Sequence, residues 1–172
     1  LSWETTTQTN VGIDWSMFNS RLTVTLDGYY KYTKDLLLNV PLPSPYPNIY
    51  RNEGELSNWG LELAVAAVNI DKNDWNWTTD FNVSMNRNKL EKLDLKTVYY
   101  YTQTSELYSD YCVRMTPGQP LSMFWGYKAL GVDPETGMVI YEDHNKDGKI
   151  NNADKHYIGN ANPLFTAGMT NT

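Results

Sequence analysis

The stretch "TNVGIDWSMFNSRLTVTLDGYYKYTK", residues 9–34, alternates apolar and polar side chains on both sides of one short polar interruption. In residues 9–17 the apolar side chains lie at odd positions, and in residues 21–34 they lie mainly at even positions. Successive side chains of a strand point to opposite faces, so this period of two predicts two strands, each with one apolar and one polar face. The connection "FNSR" (18–21) is short enough to join them as a hairpin.

Two further segments repeat this pattern, "NWGLELAVAAV" (58–68) and "DWNWTTDFNVSMNRN" (74–88), with a short connection at 69–73. The piece between the second and third strands, 35–57, contains Pro41, Pro43, Pro45 and Pro47. Proline cannot donate to a strand ladder, so these residues predict a stiff extended loop rather than a central strand. Residues 1–88 are therefore expected to form four strands.

Beyond residue 88 the alternation is lost. Residues 89–165 are predicted to form a long loop region, and residues 166–172 the start of a further strand. Short turns at one end of the strands and long loops at the other are typical of outer-membrane barrels.

The strands are longer than the average of about 5 to 6 residues in globular proteins and match the about 9 to 11 residues that cross a bilayer in a barrel. Their polar faces are rich in Asn, Thr, Asp and Ser, which suits a water-filled or plugged lumen. We therefore predict an all-β fold of antiparallel up-and-down strands, part of a large transmembrane β-barrel with long extracellular loops. The alternative is a soluble β-sandwich that acts as a carbohydrate-binding module with a structural calcium.

Composition narrows the class of partner. The 172 residues carry a net charge of −6 with a pI of about 4.8, which argues against nucleic acid. One cysteine, Cys112, excludes an internal disulfide framework. The chain has 13 Tyr and 6 Trp but only 4 Phe, and rings with a polar end suit sugar-binding surfaces and the aromatic girdles of membrane barrels.

The segment "DHNKDGKINNAD" (143–154) has the ligand spacing of a calcium loop, with glycine at position 6, where the chain turns sharply. The expected ligands are Asp143, Asn145, Asp147, the carbonyl of Lys149, Asn151 and Asp154. The residues on both sides of this segment favour extended chain. An EF-hand calcium sensor requires a helix on each side of its loop, so the segment is not expected to belong to one. An Asn/Asp/Gly turn without metal remains the alternative.

An enzyme is not predicted. His144 and His156 are twelve residues apart without a strong zinc spacing, and the loop carboxylates are better explained as calcium ligands than as a general acid–base pair. The sequence contains neither a Gly-rich phosphate loop nor a nucleophile elbow.

Several motifs occur in an order that resembles one family. The first set is Trp3, Glu4, Thr6, Gln8, Asn10, Gly12 and Asp14, then Arg21, Leu22, Tyr29, Thr33, Asp35, Leu36 and Leu37. The second set is Asn52, Gly54, Asn58, Gly60 and Glu62, then Gly118, Pro120, Gly126, Tyr127, the 143–154 loop, Ile158, Gly159, Pro163, Phe165 and Gly168. Together they resemble the SusC/RagA family of TonB-dependent outer-membrane transporters, over nearly the whole chain.

The resemblance implies a fragment of the C-terminal half of the barrel, in the outer membrane of a Gram-negative cell and surrounded by its lipid. It implies import of glycan oligosaccharides or peptides with a SusD-like surface lipoprotein, driven by TonB through an N-terminal part that this sequence does not contain. Calcium would be structural. Aromatic residues of the long loops are the candidate substrate contacts. The foremost are Tyr46, Tyr50, Phe124, Trp125 and Tyr127, and the others are Tyr99, Tyr100, Tyr101, Tyr108 and Tyr111.

Overall fold

The computed structural model describes residues 1–40, 45–93, 98–100 and 112–172, with the backbone alone at 98–100. The strands within these ranges are β1 (Thr5–Met17), β2 (Leu22–Lys34), β3 (Leu37–Val40), β4 (Ile49–Asn52), β5 (Glu55–Lys72), β6 (Trp75–Lys92), β7 (Val98–Tyr100), β8 (Val113–Met115), β9 (Met123–Gly126), β10 (Ala129–Val132), β11 (Val139–Tyr141), β12 (His156–Asn160) and β13 (Thr166–Asn171). A 3₁₀ turn covers Asn152–Asp154. In the described ranges, no helix has the length and apolar character to cross a membrane.

Five strands form the main sheet, in the order β1-β2-β5-β6-β13, and every neighbouring pair is antiparallel. The four strands predicted from the period of two are β1, β2, β5 and β6, and the strand expected near the C-terminus is β13. The predicted fold class is confirmed.

The register places the apolar side chains of all five strands on one face. Trp15 lies opposite Val24, and Val24 lies opposite Val65 on its other side. The apolar face consists of Val11, Ile13, Trp15, Met17, Leu22, Val24, Leu26, Leu61, Leu63, Val65, Phe81, Val83, Met85, Ala167 and Met169. Aromatic side chains border it at both ends, Tyr30 and Trp59 towards the long loops and Trp75 and Trp77 towards the short turns. We call this surface the apolar belt.

The apolar belt is open to the surroundings. Val11 is 67% exposed, Leu61 48% and Met169 66%. A β-sandwich would cover such a face with a second sheet about 10 Å away. Among the described strands none does so, and the sandwich alternative does not match the structure.

One turn differs from its prediction. Residues 69–73 were expected to connect the third and fourth strands, but pairing continues beyond a bulge between Val68 and Ile70 to the pair Lys72–Trp75. The connection is therefore only two residues long. The Arg21 side chain donates to the carbonyls of Val68 and Asn69 at 3.0–3.3 Å, which supplies partners where the bulge interrupts the ladder.

The proline-rich loop also contains regular structure that was not predicted. Strands β3 and β4 form an antiparallel hairpin, with Leu37 opposite Asn52 and Val40 opposite Ile49. Pro45 and Pro47 lie in the connection between these strands, where no ladder donor is required, and Pro41 and Pro43 lie outside the described residues. The prediction of an extended loop over all of 35–57 was therefore wrong at its two ends.

The region 89–165 is not a plain loop. Residues 89–92 extend β6, a four-stranded sheet has the order β12-β9-β8-β7, and β10 pairs with β11. A small core of Leu90, Leu93 and Met115, with Leu38 and Leu121 packed against it, holds this region on the outer end of β6.

Candidate functional site

The motif residues near both ends of the β3–β4 hairpin contact one another. The Asn52 side chain donates to the carbonyls of Ser2 (2.9 Å) and Asp35 (2.8 Å), and its oxygen accepts from the Ser2 amide at 2.7 Å. The Glu4 carboxylate accepts from the Leu37 amide at 2.7 Å. These bonds attach the segment before β1 to the hairpin, which fixes the base of this loop on the outer rim of the sheet.

The polar face of the main sheet lies opposite the apolar belt and includes Asn10, Asp14, Thr25, Asp27, Asn58, Glu62, Asn82, Ser84, Asn86 and Asn88. Two glycines on this face make room for larger neighbours. A Cβ at Gly60 would lie 2.6 Å from the ring of Tyr29, and a Cβ at Gly12 would collide with Asp27 Oδ1. The Tyr29 ring therefore lies across the backbone of β5.

The 143–154 loop closes on itself through the side chains with calcium spacing. Asp143 accepts from the amides of Asp147 (3.1 Å) and Gly148 (2.8 Å), and Asp147 accepts from the amide of Lys149 (2.8 Å). Gly148 has φ +80°, the left-handed conformation that position 6 of a calcium loop requires.

Asp154 anchors the loop from within. Its side chain is fully buried and accepts from the amides of Asn151 (2.8 Å), His144 (3.0 Å) and Asn145 (3.4 Å). The pKa of Asp154 is lowered, mainly by the Asn151 amide, with contributions from the amides of Asn145 and His144 and from the neighbouring Asp143 side chain.

A calcium ion fits this arrangement in part. Each carboxylate oxygen has two lone pairs, so the two Asp143 oxygens and Asp154 Oδ2, which each accept one N–H, leave room for a metal, whereas Asp154 Oδ1 already accepts two. The Asp143 and Asp154 side chains interact with each other, and a cation would stabilise two such neighbouring carboxylates. In the described part of the chain, however, no three His, Cys, Asp or Glu side chains converge on one point. Amide and carbonyl oxygens of Asn145, Lys149 and Asn151 would have to complete the ligand set.

The two histidines, distant in sequence, lie side by side. The rings of His144 and His156 stack with centroids 4.1 Å apart, and His156 Nε2 lies 3.6 Å from Glu142 Oε2. Lys128 Nζ contacts the same Glu142 oxygen at 3.1 Å and is the main cause of the lowered pKa of Glu142. These contacts attach the loop to the β10–β11 hairpin.

Two of the aromatic candidates pack within the loop region. Trp125 meets the Tyr157 ring edge-on at 5.0 Å, and the Arg114 guanidinium lies 4.1 Å from the Trp125 ring centroid. The Tyr127 ring lies 5.6 Å from that of Tyr141. These contacts give Trp125 and Tyr127 a role in packing the loop region.

The other candidates lie apart. Tyr46 is 67% and Tyr50 63% exposed beside the proline-rich connection, and Phe124 is 40% exposed on β9. Within the described ranges no ring contact joins these positions to Trp125 and Tyr127. The side chains of Tyr99 and Tyr100, and all of Tyr101, Tyr108 and Tyr111, lie outside the described residues.

Comparison with known proteins gives a consistent result. Residues 1–162 match the family model described as TonB dependent receptor-like, beta-barrel. TonB-dependent receptor P3 of Formosa agariphila is 32% identical over 189 residues, which cover 99% of this chain and 19% of that protein. TonB-dependent receptor SusC of Bacteroides thetaiotaomicron is 30% identical over 167 residues, which cover 91% of this chain and 16% of that protein.

Solved structures agree. The RagAB peptide importer in its open-open state superimposes with a TM-score of 0.77 at 27% identity, over 98% of this chain and 19% of that one. Its closed-closed state gives 0.76 at 26% identity with the same coverage. The chain thus spans about a fifth of the length of the relatives it matches.

Proposed function

This chain belongs to the TonB-dependent receptor-like β-barrel family, and on that premise we propose that it forms part of the wall of an outer-membrane nutrient importer. The SusC/RagA type is shown by the similarity to both proteins, and the predicted outer-membrane location is confirmed. The reported relatives are named as receptors or importers, which favours transport over catalysis.

The observation that carries the proposal is the two-sided sheet. The apolar belt is uncharged, exposed and bordered by aromatic side chains, as expected of a surface that meets lipid. The polar face opposite suits a lumen. A chain in water would gain about 25 cal/mol per Å² by covering such a belt, and in the outer membrane lipid provides that cover.

The test is heat-modifiability of the whole receptor. Receptor extracted from outer membranes into detergent should migrate faster on a gel before heating than after, because a closed barrel stays compact in cold detergent. A whole receptor that is freely soluble and migrates identically with and without heating would overturn the proposal.

We further propose that the imported nutrient is a glycan oligosaccharide or a peptide, captured with a SusD-like surface lipoprotein and driven by TonB. The support is the family, together with the similarity to RagAB, which is a peptide importer. Affinity purification of the tagged receptor should recover a lipoprotein in stoichiometric amount, and cells lacking TonB should bind nutrient at the surface without accumulating it. Accumulation independent of TonB would contradict this proposal.

We also propose that the 143–154 loop holds a structural calcium ion. It is supported by the ligand spacing, the left-handed Gly148 and the neighbouring carboxylates of Asp143 and Asp154. The ion would hold an external loop in shape where calcium is abundant and weak binding is sufficient.

Limited proteolysis tests the calcium site. Calcium should slow cleavage of the whole receptor near residue 146, whereas magnesium should not, because it demands a tighter octahedral shell. Asp143→Asn should remove the calcium effect. Equal cleavage with calcium and with chelator would leave the hydrogen-bonded turn as the better explanation.

A further inference from the structure

We propose that the long-loop end of the apolar belt binds a phosphate group of the phosphorylated glycolipid in the outer leaflet of the outer membrane, with Arg87 and Lys89 as the phosphate contacts. This inference rests on the proposed barrel wall, because it requires the belt to face lipid. The ligand is a membrane lipid held by its head group and acyl chains, and it is distinct from any imported nutrient.

The apolar belt ends, towards the long loops, in charged side chains on the same face of the sheet. Trp59 and Arg87 lie directly opposite each other on β5 and β6, and the next pair that faces the same way is Ser57 and Lys89. The long loops of an outer-membrane barrel are extracellular, and its aromatic girdles mark the boundary between hydrocarbon and head groups. Arg87 is therefore level with the outer boundary. Lys89 lies about 7 Å further along the strand, at the depth of the lipid phosphates.

Cations outnumber carboxylates at this end of the belt face. Within the described part of the chain, the register places four cations and two carboxylates level with Trp59 or beyond it: Lys34, Arg87, Lys89, Lys92, Glu55 and Glu91. Glu55 accepts from the Tyr32 hydroxyl, and Glu91 accepts from the Ser57 hydroxyl at 2.7 Å. Both carboxylates thus have donors within the protein, and the excess of positive charge attracts an anionic head group.

The Arg87 guanidinium is fixed in position and still has unused donors. Its Nη1 donates to the carbonyls of Asn86 (2.8 Å) and Pro163 (3.3 Å). A guanidinium has five N–H donors, and the other three have no acceptor among residues 1–40, 45–93 and 112–172. These three form the Nε–Nη2 edge, whose geometry matches two oxygens of a phosphate. Arg87 therefore offers a bidentate phosphate contact on a side chain that is already ordered.

Lys89 supplies a second cation on the same strand. Its ammonium contacts Glu91 Oε2 at 2.6 Å, and its side chain is still 50% exposed. An ammonium has three donors, so two remain for a phosphate. Lys34, two strands away, lies 5.6 Å from the centroid of the Tyr32 ring and adds to the positive potential. A phosphate beside Arg87 and Lys89 would meet one planar cation and one compact cation.

The apolar surface directly below these cations favours a lipid over a soluble anion. Trp59 is 41%, Leu61 48% and Tyr30 48% exposed on the same face. Acyl chains can cover these side chains while the head group contacts Arg87 and Lys89, and each Å² of covered apolar surface contributes about 25 cal/mol. A soluble phosphate would make only the polar contacts, so the occupant we infer is a lipid.

A fluorescent label beside Arg87 tests the site locally. Leu164 is 74% exposed and lines the same cavity as Arg87. In the whole receptor, with Cys112→Ser and no other reactive cysteine, Leu164→Cys is labelled with bimane. Heat-modifiable receptor in detergent is then titrated with lipid A that carries a nitroxide quencher on an acyl chain. The same lipid is also used after a phosphatase has removed its phosphate groups.

The phosphorylated lipid should quench the label at about thirtyfold lower concentration than the dephosphorylated lipid. Arg87→Gln and Lys89→Gln should each raise the half-quenching concentration of the phosphorylated lipid about fivefold, and the double variant should raise it about thirtyfold. The reason is that each basic side chain at a membrane surface contributes a factor of about five to the binding of anionic lipid. Lys72→Gln is the matched control, because Lys72 lies on the same face at the short-turn end, opposite Trp75.

Glu91→Gln gives a readout in the opposite direction. It removes the negative charge that Lys89 contacts, so it should lower the half-quenching concentration about fivefold, the effect of one unit charge at the surface. A variant that merely disturbed the fold would not bind the lipid more tightly. This gain therefore separates recognition of the phosphate from stability of the wall.

Three results would contradict these assignments. Equal quenching by the two lipids, or by wild type and the double variant of Arg87 and Lys89, would overturn the phosphate site. Displacement of the lipid by inorganic phosphate at the same concentration would overturn the lipid as occupant, because a free anion would then be sufficient. A receptor that is not heat-modifiable contradicts the barrel itself, and its failure is thus distinguished from failure of the lipid site.

Discussion

Gly60 lies beneath the ring of Tyr29, and its missing side chain is a condition of that packing. Gly60→Ala would place a methyl group 2.6 Å from the ring, so Tyr29 or the backbone of β5 must move. We expect a destabilisation of about 1–3 kcal/mol, typical of overpacking. The midpoint of the heat-modifiable transition of the whole receptor measures it.

Gly131→Ala is the matched control, because nothing lies within 4 Å of its added Cβ. The double variant Tyr29→Ser with Gly60→Ala should recover most of the loss, since the smaller side chain vacates the space. Equal effects of Gly60→Ala and Gly131→Ala would show that the contact with Tyr29 is unimportant.

Asp133 holds the turn of the β10–β11 hairpin. Its carboxylate accepts from the Glu135 amide (2.9 Å) and the Thr136 hydroxyl (2.8 Å), and these bonds lower the pKa of Asp133 below its ordinary 3.8. A lowered folded-state pKa means that the stabilisation is complete above about 3.8 and is lost only as the pH falls through the lower folded value. Amide exchange at Glu135, corrected for intrinsic rates, should stay slow from pH 8 to 5 and become fast at more acidic pH.

Asp133→Asn provides the comparison for this turn. An amide has a single acceptor oxygen for two donors, so exchange at Glu135 should be faster at every pH. A wild-type turn that opens near neutral pH would contradict the role assigned to the ionised carboxylate.

Single residues were predictable where spacing alone determines their position. The calcium spacing predicted the sharp turn at Gly148, which has the expected positive φ. It could not predict that Asp154 would be buried under three backbone amides, because those donors become known only when the loop is folded. The substrate role of the five foremost aromatic residues stays a prediction.

Among the elements, β2 shows most directly which face meets lipid. Val24 lies within the apolar belt between Trp15 and Val65, whereas Thr25 faces the other way and donates to Asp14 at 2.7 Å. Val24→Lys should cost about 2–4 kcal/mol if it lies near mid-bilayer. Thr25→Lys should be mild, since it places a cation beside Asp14 on a wet face.

Folding titrations of the whole receptor into lipid vesicles compare the two variants. Their difference is the informative quantity, because both introduce the same side chain into neighbouring positions of one strand. Equal losses would contradict a wall with one lipid face and one aqueous face.

Strands were predictable in proportion to their length. The period of two identified β1, β2, β5 and β6 because each has many alternating positions. It could not identify β8 or β11, with three residues each, because so short a segment has no measurable period. The bulge near Val68 shifted the predicted turn because an inserted residue reverses the alternation.

At the scale of the whole molecule, the sequence predicted a barrel wall from features that persist over many residues. Long strands, an uncharged apolar face and loops gathered at one end are all properties of the chain read in order. The proximity of Asn58, Asn86, Asn88 and Asn162 was not predictable in that way, because strand register and the segment after β12 bring these residues together. Such a cluster can be recognised only once the neighbouring strands and their register are known.

The two-residue connection between β5 and β6 also has a kinetic consequence. Closing so short a loop costs little chain entropy, whereas pairing β2 with β5 must first close residues 35–54. The β5–β6 hairpin should therefore form early during refolding and act as the template on which β2 and β13 add. Pulse-labelling hydrogen exchange on the whole receptor should show amides of 60–67 and 79–86 protected before those of 167–171, because β13 pairs with β6 only after residues 93–165 are closed. Lengthening the connection at Asn73 with several glycines should slow every later folding step. The length of this two-residue turn would then determine the rate at which the barrel wall assembles.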